Sequence, residues 1–149
     1  MKAVIQRVSR ASVKTEGHLI SEIGQGLLIL IGISTEDDSD DIQWLAKKIA
    51  NLRIFNDENQ IMNRSLIDID ADAIIVSQFT LLANTKKGNR PSYINAAGPA
   101  IAIPLYEEFI RTFEKQVQKK VGTGSFGANM QIDLQNDGPV TIVIDTQNK

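Results

Sequence analysis

Cysteine is absent from this chain and histidine occurs once. The first absence excludes disulfides, thiolate metal sites and a cysteine nucleophile. The second leaves only His18 for a Ser-His-Asp triad and nothing for a histidine-rich metal site. His18 lies in "TEGHLI", a Glu-Gly turn between alternating stretches, so a surface turn position is expected for it. Long apolar runs are missing too: none approaches the ~18 residues of a membrane span. The opening "MKAVIQRVSRASV" alternates and lacks the apolar core of a signal peptide. A cytoplasmic protein without membrane contact is expected. Charge of one sign is also lacking. A net charge of −2 argues against a wholly basic surface that wraps nucleic acid, and no DNA partner is expected.

What is present suffices for one domain, residues 1–149. A chain of that size buries about 68–70% of its unfolded surface and needs no metal to hold a core. Residues 2 to 13 alternate as a strand, Glu16-Gly17 turns, and Leu19 to Ile23 returns. After Gly24-Gln25-Gly26, "LLILIGI" reads as a fully buried strand. Asp37 to Asp41 ("DDSDD") lacks the glycine and closing glutamate of a calcium loop and stands just before an amphipathic segment, so it reads as helix capping. Ile42, Leu45, Ile49 and Leu52 give that helix one apolar face. Arg53-Ile54-Phe55 reads as a short strand and "AIIVSQFTLLA", 73 to 83, as a second buried one. Leu105, Phe109, Phe113 and Val117 space a second helix, with Pro104 in its first turn or two.

The closing stretch, Met130 to Leu134 and Val140 to Ile144, reads as a hairpin turning at Asp137-Gly138. Pro139 is out of place there, because it removes a ladder donor where the second strand should begin. Together the elements predict an α+β fold: a curved antiparallel sheet or barrel with two main helices packed outside. Val13 and Val140 are read as strand residues free to cover an oligomer face.

Two stretches carry candidate chemistry. Ser77, Gln78, Phe79 and Thr80 end a buried strand and present two hydroxyls, an amide and backbone N–H groups. Such donors suit a developing oxyanion, and Thr80 is a candidate nucleophile or water-positioning group. Lys86, Lys87 and Arg90 form a local basic strip, a candidate for nucleic-acid contact.

"SQFTL" (77 to 81), "RPS" (90 to 92), "FGANMQ" (126 to 131), "NDGPVT" (136 to 141) and "IQRVSRASV" (5 to 13) together resemble the D-aminoacyl-tRNA deacylases. The resemblance runs the length of the chain, in order. It implies a homodimer, acting without cofactor or metal, that hydrolyses the ester joining a D-amino acid to the terminal ribose of tRNA and rejects the L-ester. Action on glycyl-tRNA is implied as well. Its pocket maps onto Ser77, Gln78, Phe79 and Thr80, with Met130 and Arg7 nearby. Its Gly-Pro dipeptide maps onto Gly138 and Pro139, with a cis bond and with insertion into the partner subunit's pocket as a chirality filter. An aminoacyl ester is already activated, so no strong side-chain base is obligatory. Water beside the ribose hydroxyl, with the Phe79 N–H holding the oxyanion, is sufficient chemistry. The alternative is a non-catalytic tRNA- or nucleotide-binding module using Lys86, Lys87 and Arg90.

Overall fold

A computed structural model describes residues 1–149. Strand β1 (Lys2–Thr15) organises the sheet. On one edge it pairs with β3 (Gly26–Gly32) through its first half and with β2 (His18–Ile23) through its second. On the other edge β8 (Met130–Asp145) runs antiparallel to it from end to end. The β1–β2 turn has positive φ at Glu16 (51°) and Gly17 (81°), as a two-residue hairpin loop requires. Beyond β3 come β6 (Asp72–Ser77) and β7 (Gly122–Thr123), both parallel to their neighbours. Ser21 Oγ of β2 donates to the Thr123 carbonyl at 2.7 Å and accepts from its N–H at 3.0 Å, so one side chain brings β7 back to β2. The result is a nearly closed barrel. A separate ribbon, β4 (Phe55–Asn56) with β5 (Met62–Arg64), stands apart from it.

Helices α1 (Ser39–Ala50) and α2 (Pro99–Val117) pack against each other and over one face of the sheet. Asp38 caps α1: its carboxylate accepts from the N–H groups of Asp40 and Asp41, and Asp41 answers to the Asp38 N–H. The acidic run is therefore a capping box. Ile42, Leu45, Ala46, Ile49 and Ala50 of α1 meet Ala102, Tyr106, Phe109 and Phe113 of α2 in a core shared with Ala3 and Ile5 of β1. Each fully buried phenylalanine there contributes about 1.5–3 kcal/mol. A second, smaller core holds Val8, Ala11, Val13, Leu28, Ile74 and Val76 on the opposite face. Strand β1 thus changes sides midway, and Arg7 and Val8 are buried in succession at the change.

Four expectations are corrected. The sheet is mixed, because β3–β6 and β6–β7 are parallel, whereas side-chain alternation carries no information on strand direction. Val13 is fully buried in the second core, and Val140 packs at the edge of the first. The strand assigned to 73–83 stops at Ser77, and Phe79–Leu82 coil into a single 3₁₀ turn. Finally, 130–144 is no hairpin. Both halves belong to one strand, since Met130 to Asn136 pair with Thr15 to Val8 and Thr141 to Asp145 pair with Gln6 to Lys2. Between those registers only Arg7 stands opposite Asp137, Gly138, Pro139 and Val140. The Gly-Pro is thrown out of the ladder as a large, four-against-one bulge, which resolves how a strand carries a proline.

Candidate active site

Strand β6 delivers Ser77 and Gln78 to the carboxyl end of the sheet, where the Gln78 N–H donates to the Ile31 carbonyl at 2.7 Å. The chain then turns sharply. Gly32 allows the turn: a Cβ there would stand 2.4 Å from Leu82 Cδ2 and 3.0 Å from the Gln78 carbonyl. Leu81 donates to the Gln78 carbonyl and Ala83 to that of Thr80. The N–H groups of Phe79 and Thr80, at the start of the turn, are left without an acceptor inside it.

Beneath this turn lies a cavity of about 240 Å³. Ser77, Gln78 and Phe79 form its polar lip, while Ile31, Ile33, Ala97, Ala102, Phe126, Met130 and Ile132 supply apolar walls. It is smaller than the ~300–1,000 Å³ of drug-sized pockets. Residues from both hydrophobic cores wall it, so its shape is fixed from behind. Phe79 is 56% exposed at the mouth and meets Tyr93 edge-on, ring centroids 5.0 Å apart. Thr80 does not line the cavity; its hydroxyl accepts from Gln78 Nε2, which leaves its own proton free to donate.

The wall opposite β6 comes from the 124–130 turn and is tied on by one buried carbonyl. The Ile75 carbonyl accepts from the Gly124 N–H at 3.1 Å and from the Tyr106 hydroxyl at 2.7 Å. Burial pushes the Tyr106 phenol up to about 12, despite a smaller opposing influence of the Gly124 backbone, so it remains a donor throughout the neutral range. Its ring lies 5.9 Å from that of Phe126. Sequence reasoning missed Tyr106, which looks like an ordinary core aromatic, and gave Phe126 no place in the pocket although it opens the FGANMQ stretch.

The second cluster is the β8 bulge. Arg7, 6% exposed, donates to the Ile54 carbonyl at 2.7 Å and to the Asp137 carbonyl at 3.2 Å, and pairs with the Asp137 carboxylate at 3.0 Å. Asn136 Nδ2 spans the base of the bulge, donating to the Arg7 and Val140 carbonyls at 3.0 Å each. Gly138 has φ +119°, and a Cβ on it would meet Arg7 Nη2 at 2.8 Å and Val140 Cγ2 at 2.9 Å. The Gly138–Pro139 bond is cis, and both residues are exposed.

Within one chain, then, Ser77, Gln78, Phe79 and Met130 come together, with Thr80 tied to Gln78. Arg7, Gly138 and Pro139 gather elsewhere, and none of the three lines the Ser77–Phe79 cavity. Lys86, Lys87 and Arg90 are exposed in the loop after the 3₁₀ turn. Lys86 faces a different, polar cavity of about 490 Å³ with Lys2, Asn84, Asn95 and Asp145.

Residues 4–145 match the model of the family described as D-Tyr-tRNA(Tyr) deacylase. The chain is 59% identical over 149 residues to a D-aminoacyl-tRNA deacylase of Parabacteroides distasonis, covering 100% of this chain and 99% of that protein. A D-aminoacyl-tRNA deacylase of Porphyromonas gingivalis is 57% identical over the same span. Among solved structures, a c-Myc DNA unwinding element binding protein superposes with TM-score 0.91 at 42% identity, covering 97% of this chain and 98% of that one. A probable eukaryotic D-amino acid tRNA deacylase shares the fold, with TM-score 0.84 at 14% identity over 96% of this chain and 97% of that one.

Proposed function

The chain belongs to the D-Tyr-tRNA(Tyr) deacylase family, and from that premise we propose that it hydrolyses the ester between a D-amino acid and the terminal ribose of tRNA. Glycyl-tRNA is a second substrate and the L-ester is refused. The observation that carries this reading is the small, core-backed cavity under the Ser77–Phe79 turn, with the Phe79 N–H at its lip left without an acceptor in the turn.

Water adds to the ester carbonyl carbon, and the carbonyl oxygen becomes the oxyanion. The Phe79 N–H receives it, assisted by Thr80; a donor of that kind is worth roughly 10²–10³ in rate. The C–O bond to ribose then breaks, the ribose oxygen takes a proton, and D-amino acid and tRNA separate. The adjacent ribose hydroxyl orients the water, so the chain needs no catalytic histidine. Thr80 serves as a donor rather than a nucleophile: its hydroxyl accepts from Gln78 Nε2 and keeps its own proton to give.

Stereoisomers share every functional group, so discrimination needs a wall against one side-chain direction. A rigid backbone serves best. Gly138 and Pro139 are exposed yet braced from behind by buried Arg7, and they lie outside their own chain's cavity. In a homodimer the bulge of one protomer closes the cavity of its partner, and its carbonyls receive the substrate ammonium. The test is incubation with D- and L-aminoacyl-tRNA. Release of the D-amino acid alone is expected; equal release of both, or of neither, overturns the assignment.

A further inference from the structure

The chain has one tryptophan, and it does not lie in the cavity. Trp44 is half-buried on α1 beside a groove of about 460 Å³ that it shares with Lys47, Lys48, Asn51, Leu52 and Arg53. Lys48 Nζ stands 5.5 Å from the indole centroid and Lys149 Nζ 5.7 Å. Lysines in the last turn of a helix ordinarily offset its dipole, which accounts for Lys47 and Lys48 alone. Arg53 lies beyond the helix end, and its Nε is anchored on the Asn63 carbonyl at 2.9 Å, so the guanidinium is held in place. Lys149, the other cation beside the indole, is held by Asp41. Lys47, Lys48 and Arg53 take no part in any ion pair within 4 Å. Three cations without a carboxylate partner thus share one groove with the half-buried indole, and Lys48 already stands over its ring.

The groove's position is informative. Arg53 directly precedes Ile54, whose carbonyl accepts from Arg7, and Arg7 braces Asp137 next to Gly138–Pro139. Arg53, at one end of the groove, is thus linked through Ile54 to the residue that braces the bulge, and no groove residue lines its own chain's cavity. We propose that Lys47, Lys48 and Arg53 hold the phosphate backbone of the tRNA beyond its aminoacylated end, with Trp44 against an adjoining base or ribose. The proposal rests on the deacylase reading, in which the bulge sits over the aminoacyl end in the partner's cavity. Positive charge with an interleaved aromatic is the chemistry that nucleic-acid strands call for.

Two measurements decide it. The first compares wild type with the triple variant Lys47→Ala, Lys48→Ala, Arg53→Ala on D-aminoacyl-tRNA and on the minimal substrate D-aminoacyl-adenosine. Expected is a rise in KM for the tRNA on the order of tenfold, and a salt slope of log(kcat/KM) shallower by about 2, since each phosphate contact contributes roughly 0.7–0.9. Rates on the minimal substrate stay unchanged. The second follows Trp44 emission during titration with uncharged tRNA: quenching in wild type, lost in the triple variant. Equal tRNA kinetics in both proteins, or unquenched Trp44 emission, overturns the proposal. If wild type fails to cleave D-aminoacyl-tRNA, the deacylase reading falls instead, and the fluorescence titration still decides the groove.

Discussion

The Ser77–Phe79 turn and the Asp137–Val140 bulge are the two places where this sheet breaks its own regularity, and they break it in opposite ways. The turn ends a strand that is buried on both faces, with Ile74, Ile75 and Val76 fully buried behind it. Its geometry follows from close packing, with Gly32 clearing the space. The bulge interrupts a strand whose outer half is exposed, and nothing packs over Gly138 or Pro139. Polar groups hold it instead: a buried guanidinium and a side-chain amide occupying the carbonyls that the missing ladder leaves free. A concave site can draw its rigidity from the core. A convex one must be braced from beneath, and that is the work of Arg7.

Replacing Gly138 with alanine is the strongest blow to the bulge. The new Cβ meets Arg7 and Val140 at under 3 Å, at a φ that alanine resists. D-ester hydrolysis should fall by about 10³-fold while circular dichroism stays native; wild-type rates would remove the bulge from the site. Phe79→Pro strikes the turn comparably. Proline is tolerated at the first position of a helical turn but lacks the N–H, so kcat should drop roughly 10²–10³-fold with KM little changed. Arg7→Ala removes the brace. Unfolding in urea should show a loss of about 3 kcal/mol, as expected for hydrogen bonds to a buried charge, and D/L selectivity should narrow. Thr80→Ala should cost less than about tenfold and leave no trapped acyl-enzyme. Near-complete loss would restore Thr80 as a nucleophile.

The smallest effect belongs to Tyr106→Phe. One hydrogen bond is lost while Gly124 keeps the Ile75 carbonyl satisfied, so about 1 kcal/mol is expected. Tyr106 also sets an alkaline limit. Burial holds its folded pKa at about 12, above the 10.0 of an exposed phenol, so its stabilising contribution is full below pH 10 and lost as pH rises towards 12. Urea midpoints across that window should fall more steeply for wild type than for Tyr106→Phe.

Much of the fold was legible because it is written locally. The β1–β2 turn, the buried β3, the capped α1 and the apolar face of α2 follow from spacing and turn chemistry. Parallel pairing was not, since β3 and β6 are buried on both faces and read alike in either direction. Asp137-Gly138 misled for a related reason. It carries the signature of a hairpin turn, but β1 is long enough to pair with both halves of β8, and that tertiary fact outweighs the local signal. At the candidate site, Ser77 to Phe79 stood out from their place at a strand end, and they do line a cavity. Phe126, Ala97 and Ala102 were not, because an apolar wall looks like core until the cavity beside it is seen.

Whether the two irregular regions make one site is best tested by complementation between subunits. Phe79→Pro spoils a cavity and Gly138→Ala spoils a bulge, so each homodimer alone should be nearly inactive on D-aminoacyl-tRNA. In a co-expressed mixed dimer, an intact cavity of one protomer faces an intact bulge of its partner at one of the two sites. Recovery of about half the wild-type activity per mixed dimer is expected if the bulge works across the interface. No recovery, with mixed dimers demonstrably formed, would contradict it.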